Sequence, residues 1–347
     1  MSNISTISEF LLHANSQYQV FDMSRGIRPL PAQEFIDIEN ALQPFPTPRL
    51  GAAWLGILFW NSDPAGVNAM VSASAPQYFI WFLKLPLDEQ SKLMPGPRDH
   101  FLRILLEALA RQAEGETIKD VPDHPYSFVP PQQQMADFNA IVRKQLGLPH
   151  SDHFSEALRY IQSPTEKDWN NVPVQGISDV AAAMDDPIIE QAVLDNFDLL
   201  ADEVKQPLCQ AMENHQPSAN FSAKILQWLA TEQQPSSVLS GLRALSRSKE
   251  PERIAAFLQQ LLTEERADTD MLVIISGRHW QRLKDNALLH NYMNALAQHS
   301  HALFSAVFAD LVRIPMLRTQ MLSLLRSPDK SPELLQAIGA LFSEQRQ

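Results

Sequence analysis

Three histidines near the C-terminal end, His290, His299 and His301, come closest in type and spacing to a metal site. Three imidazoles bind zinc when they converge. Residues two apart point to nearly opposite sides of a continuous helix, so His299 and His301 meet only across a turn. Ser300 between them has the chemistry of a helix start. No Asp or Glu lies in this span to orient a ring nitrogen. The expectation is therefore surface histidines at a helix junction, with no metal and no cofactor.

Two acid–histidine pairs have the residue types for proton transfer: Asp99 and His100 in "RDH", and Asp120 and His124 in "DVPDH". Asp99 also suits a helix cap. Cys209, the single cysteine, shares a helical stripe with Met212, and Lys205 is the only basic residue within four positions of it. That setting predicts a core thiol rather than a nucleophile. The common catalytic spacings are missing. The sequence holds no G-x-G pair, no G-K-[ST], no G-x-S-x-G, no H-E-x-x-H and no C-x-x-C.

The charges are unevenly placed. The net charge is −12, which argues against a surface that binds nucleic acid or anionic lipid as a whole. From Asp179 to Glu203 the chain carries eight acidic residues, Asp195, Asp198 and Asp202 among them, and no Lys or Arg. From Met271 to Lys330 seven bases face three acids. Within that basic stretch, "RHWQRLK" sets Trp280 among Arg278, Arg282 and Lys284. Two readings are open. An exposed tryptophan in a basic patch would stack on a base or anchor a protein partner. The same tryptophan packed between helices would be core.

The elements that must position these residues fall into two kinds. Up to residue 120 the pattern is mixed. "ISTISEFLLHA" reads as a helix capped by Ser5 or Thr6, "QYQVFDMSR" as a strand, and "PAQEFIDIENAL" as a short helix. The apolar runs Leu50–Trp60 and Tyr78–Leu85 read as strands, and "RDHFLRILLEALARQ" as a helix. Helices over a sheet of about three strands account for this module. Residues 121–177 are expected to be a proline-rich linker with connecting helices, one of them capped by Ser151 or Asp152. Residues 178–347 read as helices and short turns.

Start signals at Pro217, Pro235, Pro251, Asp268, Asp285 and Ser300 are spaced by 18, 16, 17, 17 and 15 residues. One helix plus one turn at near-constant period is the signature of stacked helical hairpins. The expected fold is thus an α+β module followed by a helical-repeat array of the HEAT or armadillo sort. An array of that kind leaves a long groove for a protein or peptide partner, and the expected function is a non-enzymatic interaction or scaffold protein. The alternatives are nucleic-acid binding through the basic stretch, and an enzyme whose site involves Asp99, His100, Asp120 and His124.

Neither apolar run is long enough for a bilayer. Leu50–Trp60 has 11 residues, and a spanning helix needs about 20. With one cysteine and no basic residue before the first apolar positions, a reducing, cytoplasmic location is expected. The stretches "FDMSRGIRPLP" (residues 21–31) and "LGAAWLGILFWN" (residues 50–61) resemble a family of uncharacterised bacterial proteins known only as a domain of unknown function. The resemblance implies a cytoplasmic bacterial protein and brings no catalytic or binding residues with it.

Overall fold

The computed structural model describes residues 4–61, 77–113, 123–264, 266–328 and 330–344. About 60% of the chain is helix. Among the described residues there are sixteen α-helices and one four-stranded antiparallel sheet, which lies near the N-terminus. The chain divides into two compact units, Met1–Pro130 with Arg313–Pro315, and Pro131–Val312 with Met316–Gln347.

In the first unit the order is α1 (Ile7–His13), β1 (Ser16–Asp22), β2 (Arg28–Leu30), α2 (Ala32–Glu39), β3 (Ala52–Asn61), β4 (Tyr78–Pro86) and α3 (Pro95–Ala113). The sheet order is β2-β1-β3-β4, with Val20 opposite Ile57 and Leu55 opposite Leu83. The period-2 alternation of the strands sends Val20, Leu55, Ile57, Leu83 and Leu85 to one face. There they pack with Ile7, Phe10, Phe35, Ile38, Phe101 and Leu102 from the helices. The run Leu50–Trp60 is therefore mostly the β3 strand, and both apolar runs are strands as expected.

Buried polar groups tie this unit together. The Glu39 carboxylate accepts from the backbone N–H groups of Ile7 (2.7 Å) and Ser8 (3.2 Å), so it caps the N-terminus of α1. In the FDMSRGIRPLP stretch, Asp22 accepts from the Ser24 N–H at 2.8 Å and from the Thr47 hydroxyl, and the Arg25 guanidinium donates to the Pro48 carbonyl at 2.7 Å. All four side chains are buried. These residues build a corner of the fold.

Three local expectations are corrected. The sheet has a fourth strand, β2, whose three residues include Pro29; a proline belongs on an edge strand, and β2 is at the edge. Asp99 does not cap α3. Proline is tolerated in a first turn, so the helix begins at Pro95, and Asp99 lies inside it, paired with Arg98 at 2.7 Å. Neither Ser151 nor Asp152 is the cap of the helix that follows them: it begins at Phe154 with His153 at the cap position, while the Ser151 hydroxyl donates to Asp179.

The second unit continues with α4 (Gln132–Gln145), α5 (Phe154–Gln162), α6 (Val174–Ala182), α7 (Pro187–Asn196), α8 (Asp202–Ala211), α9 (Ala219–Thr231), α10 (Pro235–Ala244), α11 (Pro251–Thr263), α12 (Thr269–Arg278), α13 (Asn286–His299), α14 (His301–Leu311), α15 (Arg318–Leu324) and α16 (Pro332–Glu344). The starts follow from the sequence signals. Pro187, Pro235 and Pro251 occupy first-turn positions, and the side chains of Asp268, Asp285 and Ser300 accept from the N–H of Met271, Leu288 and Leu303. Packing runs between alternate helices. α4 packs on α6, α6 on α8, α8 on α10 and α10 on α12; in a second row α5 packs on α7 and α7 on α9. Apolar stripes at helical spacing face inward: Ile254, Leu258, Leu261 and Leu262 of α11, with Phe257 half-buried beside them, and Leu288, Leu289, Tyr292, Met293 and Leu296 of α13.

The α5–α6 contact depends on one glycine. A Cβ on Gly176 would fall 2.5 Å from the His153 carbonyl oxygen and 2.9 Å from the Ala157 Cβ, whereas one on Gly277 in α12 would meet nothing within 4 Å. Gly176→Ala is expected to lower the unfolding free energy by about 1–3 kcal/mol, and Gly277→Ala to raise it by up to about 1 kcal/mol. Urea titration of the two variants beside the parent chain measures both.

Candidate interaction groove

The helices α8, α10 and α12 run in the same direction. The turns that follow them meet: the Ser246 hydroxyl beyond α10 donates to the Glu213 carbonyl beyond α8, and Arg278 at the end of α12 reaches the Glu213 carboxylate. Near the other ends, the Gln206 amide of α8 donates to Ser236 at the start of α10, at 3.3 Å.

Their shared surface is a groove of about 360 Å³ lined by Gln206 and Gln210 of α8, Ser236, Leu239, Ser240 and Arg243 of α10, and Asp270, Val273 and Ile274 of α12. On α10 the lining positions fall at i, i+3, i+4 and i+7, one stripe of an α-helix. Asp270, Val273 and Ile274 begin the equivalent stripe on α12. The opposite faces of these helices are core: Val204, Leu208 and Cys209, then Val238 and Leu242, then Leu272 and Ile275 are buried. Gly241 lets α10 approach α9, since its Cβ would lie 2.6 Å from Leu229 Cδ2.

Beneath the groove is a polar layer. The Glu213 carboxylate takes two hydrogen bonds from Arg278, Nε at 2.7 Å and Nη2 at 2.9 Å. Burial works against the Arg278 charge, and the Glu213 carboxylate more than offsets it, holding the guanidinium above its ordinary range. Arg243 reaches the same carboxylate only at 3.6 Å. The Arg247 guanidinium donates to the Asn214 carbonyl, and Arg282 donates to the carbonyls of Ser246 at 3.1 Å and Leu245 at 3.3 Å. These cations sit where the free carbonyls of parallel helix ends accumulate negative potential. Asp137 of α4, also buried, accepts from Ser178 (2.7 Å), Gln133 (2.8 Å) and Asn214 (3.1 Å).

The structure places all but one of the residues singled out in the sequence, Asp120 lying outside the described residues. Trp280 is 2% exposed, so it is core, the second of its two readings. Arg278 and Arg282 turn inward to the partners above, and Lys284 is exposed. RHWQRLK does not form one open basic patch, because Trp280–Lys284 is a tight 3-10 turn that sends Trp280 and Leu283, three residues apart, into the core. In the acidic stretch, Asp198 pairs with Lys224 at 2.5 Å, Asp195 accepts from Gln191 at 2.6 Å, and Asp202 is exposed in the first turn of α8. None of the three lines the groove.

His299 hydrogen-bonds Thr269. Among the described residues no group of three or more His, Cys, Asp and Glu side chains could hold a metal, so His290, His299 and His301 form no such group. His100 and His124 do come together, through Tyr126: its hydroxyl lies 2.9 Å from His100 Nδ1 and its N–H donates to His124 Nδ1 at 3.2 Å. Asp99 faces Arg98 instead, and Asp120 lies outside the described residues. Cys209 is fully buried, and burial pushes its thiol up to about 12 despite Lys205. Among the described residues, no helix is long and apolar enough to cross a membrane.

Residues 2–342 match the family described as "Protein of unknown function (DUF3549)". The chain belongs to that family. No curated protein and no solved structure matches the sequence. For this DUF3549 protein the groove and the layer beneath it were only partly legible beforehand. The helix starts were visible, but Glu213, the partner of Arg278, lies 65 residues away in sequence.

Two buried groups of opposite sign contribute to the pH response, alongside His215, which burial lowers to about 4, and Asp22 and Glu39, which burial raises. His279 bonds to the Leu242 carbonyl at 2.8 Å and to Arg282 at 3.1 Å. Burial, then the Arg282 charge, pushes the imidazole down to about 3. The unfolded chain binds that proton near 6.5, so His279 makes stability fall as pH drops below 6.5. Burial raises Asp137 to about 7. Its native form keeps a proton that the unfolded chain loses near 3.9, so it makes stability fall as pH rises from about 4 to 7. The two oppose each other between about 4 and 6.5. Asp137→Asn is therefore expected to shift the slope of unfolding free energy upward by about 1.4 kcal/mol per pH unit in that window, and His279→Gln downward by as much. Denaturant titrations at pH 4.5, 5.25 and 6 read both slopes.

Proposed function

We infer that this protein is a non-catalytic interaction module in which the helices of the second unit form a helical-repeat array and the groove across α8, α10 and α12 holds an extended segment of a partner protein. The observation that carries this reading is the equivalent lining stripe on successive parallel helices. Ser236, Leu239 and Ser240 are each followed 34 residues later by Asp270, Val273 and Ile274. A hairpin repeat of that length produces such a register, and solenoids expose extended surfaces of this kind. The lining mixes apolar strips with side-chain amides and hydroxyls, the combination that receives an extended chain.

The acidic residues Asp195, Asp198 and Asp202 remain candidates for a second contact on the same partner, outside the groove. The nucleic-acid reading is less well supported. Of its four named contacts, Trp280 is core, Arg278 is neutralised by Glu213 and Arg282 is committed to backbone carbonyls. Lys284 is the exposed one.

A photocrosslinking amino acid placed at Val273, which is 44% exposed in the groove, tests the reading in cells. The expected result is a discrete protein adduct that Leu239→Arg abolishes, with no such adduct from a crosslinker at Ala256, exposed on α11. No adduct at Val273, or the same adducts from both positions, would contradict it.

A further inference from the structure

Arg243 is the one cation in the groove lining, and Asp270 is the one carboxylate. They lie at opposite ends. Arg243 is in the last turn of α10, Asp270 in the first turn of α12, and the helices run parallel. A ligand in this groove therefore meets positive potential at one end and negative at the other.

The positive end is under-neutralised. Each oxygen of Glu213 already accepts a charge-assisted hydrogen bond from Arg278, and two parallel bonds of that kind are the strong arrangement for a carboxylate. What is left for Arg243 is a single approach at 3.6 Å, outside hydrogen-bond distance. Its neighbours solve the same problem differently, Arg247 and Arg282 each donating to backbone carbonyls. The Arg243 side chain keeps 31% of its surface open. A guanidinium offers five donors in a fixed fork suited to a carboxylate.

We propose that Arg243 receives the side-chain carboxylate of an Asp or Glu in the bound peptide. The acidic residue sits at the α10 C-terminal end of the groove, and the chain runs past Leu239, Val273 and Ile274 toward Asp270, where a neutral or basic residue fits. Gln206, Gln210 and Ser236 supply donors and acceptors for the peptide backbone. The Gln206 amide is held only by bonds of 3.3 Å and 3.5 Å to Ser236 and Ser237, so it exchanges partners readily. This assignment rests on the groove being a peptide site.

The test uses the full chain and a phage-displayed library of linear peptides. Selected peptides are resynthesised and their affinities measured by fluorescence anisotropy. The expected peptides share an acidic residue. Replacing that residue by its amide, or making Arg243→Gln in the protein, weakens binding about tenfold or more, and the two together weaken it no further. Should Arg243→Gln not fold, judged by circular dichroism, the amide-substituted peptide on the parent protein decides alone. Peptides that lose binding to Val273→Trp yet share no acid, or ignore the amide replacement, would overturn the carboxylate assignment and leave the groove standing. Failure to select any peptide whose binding Val273→Trp abolishes would overturn the groove, and this assignment with it.

Discussion

A carboxylate has two oxygens, and in this protein the allocation of one such pair shapes a whole surface. Helices α8, α10 and α12 lie parallel, so their carbonyl ends gather on one side and need cations. Four arginines collect there. Three are engaged inside: Arg278 by Glu213, Arg247 by the Asn214 carbonyl, and Arg282 through its Nη atoms by the carbonyls that end α10. The fourth comes no nearer to Glu213 than 3.6 Å, beyond hydrogen-bond distance. Arg243 is left facing the groove, so the chemistry of that surface follows from hydrogen-bond accounting under it.

The same layer shows why buried polar groups persist in a mostly helical unit. Asp137 links α4 to α6 through Ser178 and to the turn after α8 through Asn214, and His279 links the end of α12 to α10. Each tie fixes register between helices that hydrophobic packing alone would allow to slide. Each also costs desolvation, visible as a raised carboxyl and a lowered imidazole.

Much of the fold was legible in the residues. The β3 and β4 strands announce themselves as apolar runs too short for a membrane, and the caps Asp268, Asp285 and Ser300 mark helix starts because a short side-chain oxygen is what the free N–H groups require. What could not be read was direction. RHWQRLK is a basic run on paper, yet Trp280 and Arg278 turn inward because a 3-10 turn and a glutamate 65 residues upstream decide where they point. Arg243 carried no signal for the converse reason: nothing near it in sequence reveals that Glu213 is already occupied. The Asp99 cap misled because a proline-led first turn starts α3 earlier than a capping rule implies.

The account stands on Glu213 belonging to Arg278 and not to Arg243, and a pair of double-mutant cycles on unfolding free energy measures that directly. The cycle of Glu213→Gln with Arg278→Gln is expected to give a coupling energy of about 1–3 kcal/mol, and that of Glu213→Gln with Arg243→Gln a value less than half as large, because the 3.6 Å pair keeps its Coulomb attraction but lacks the two hydrogen bonds. A Glu213–Arg243 coupling as large as the Glu213–Arg278 one would mean that the groove cation is already spoken for, and the electrostatic reading of this surface would fail.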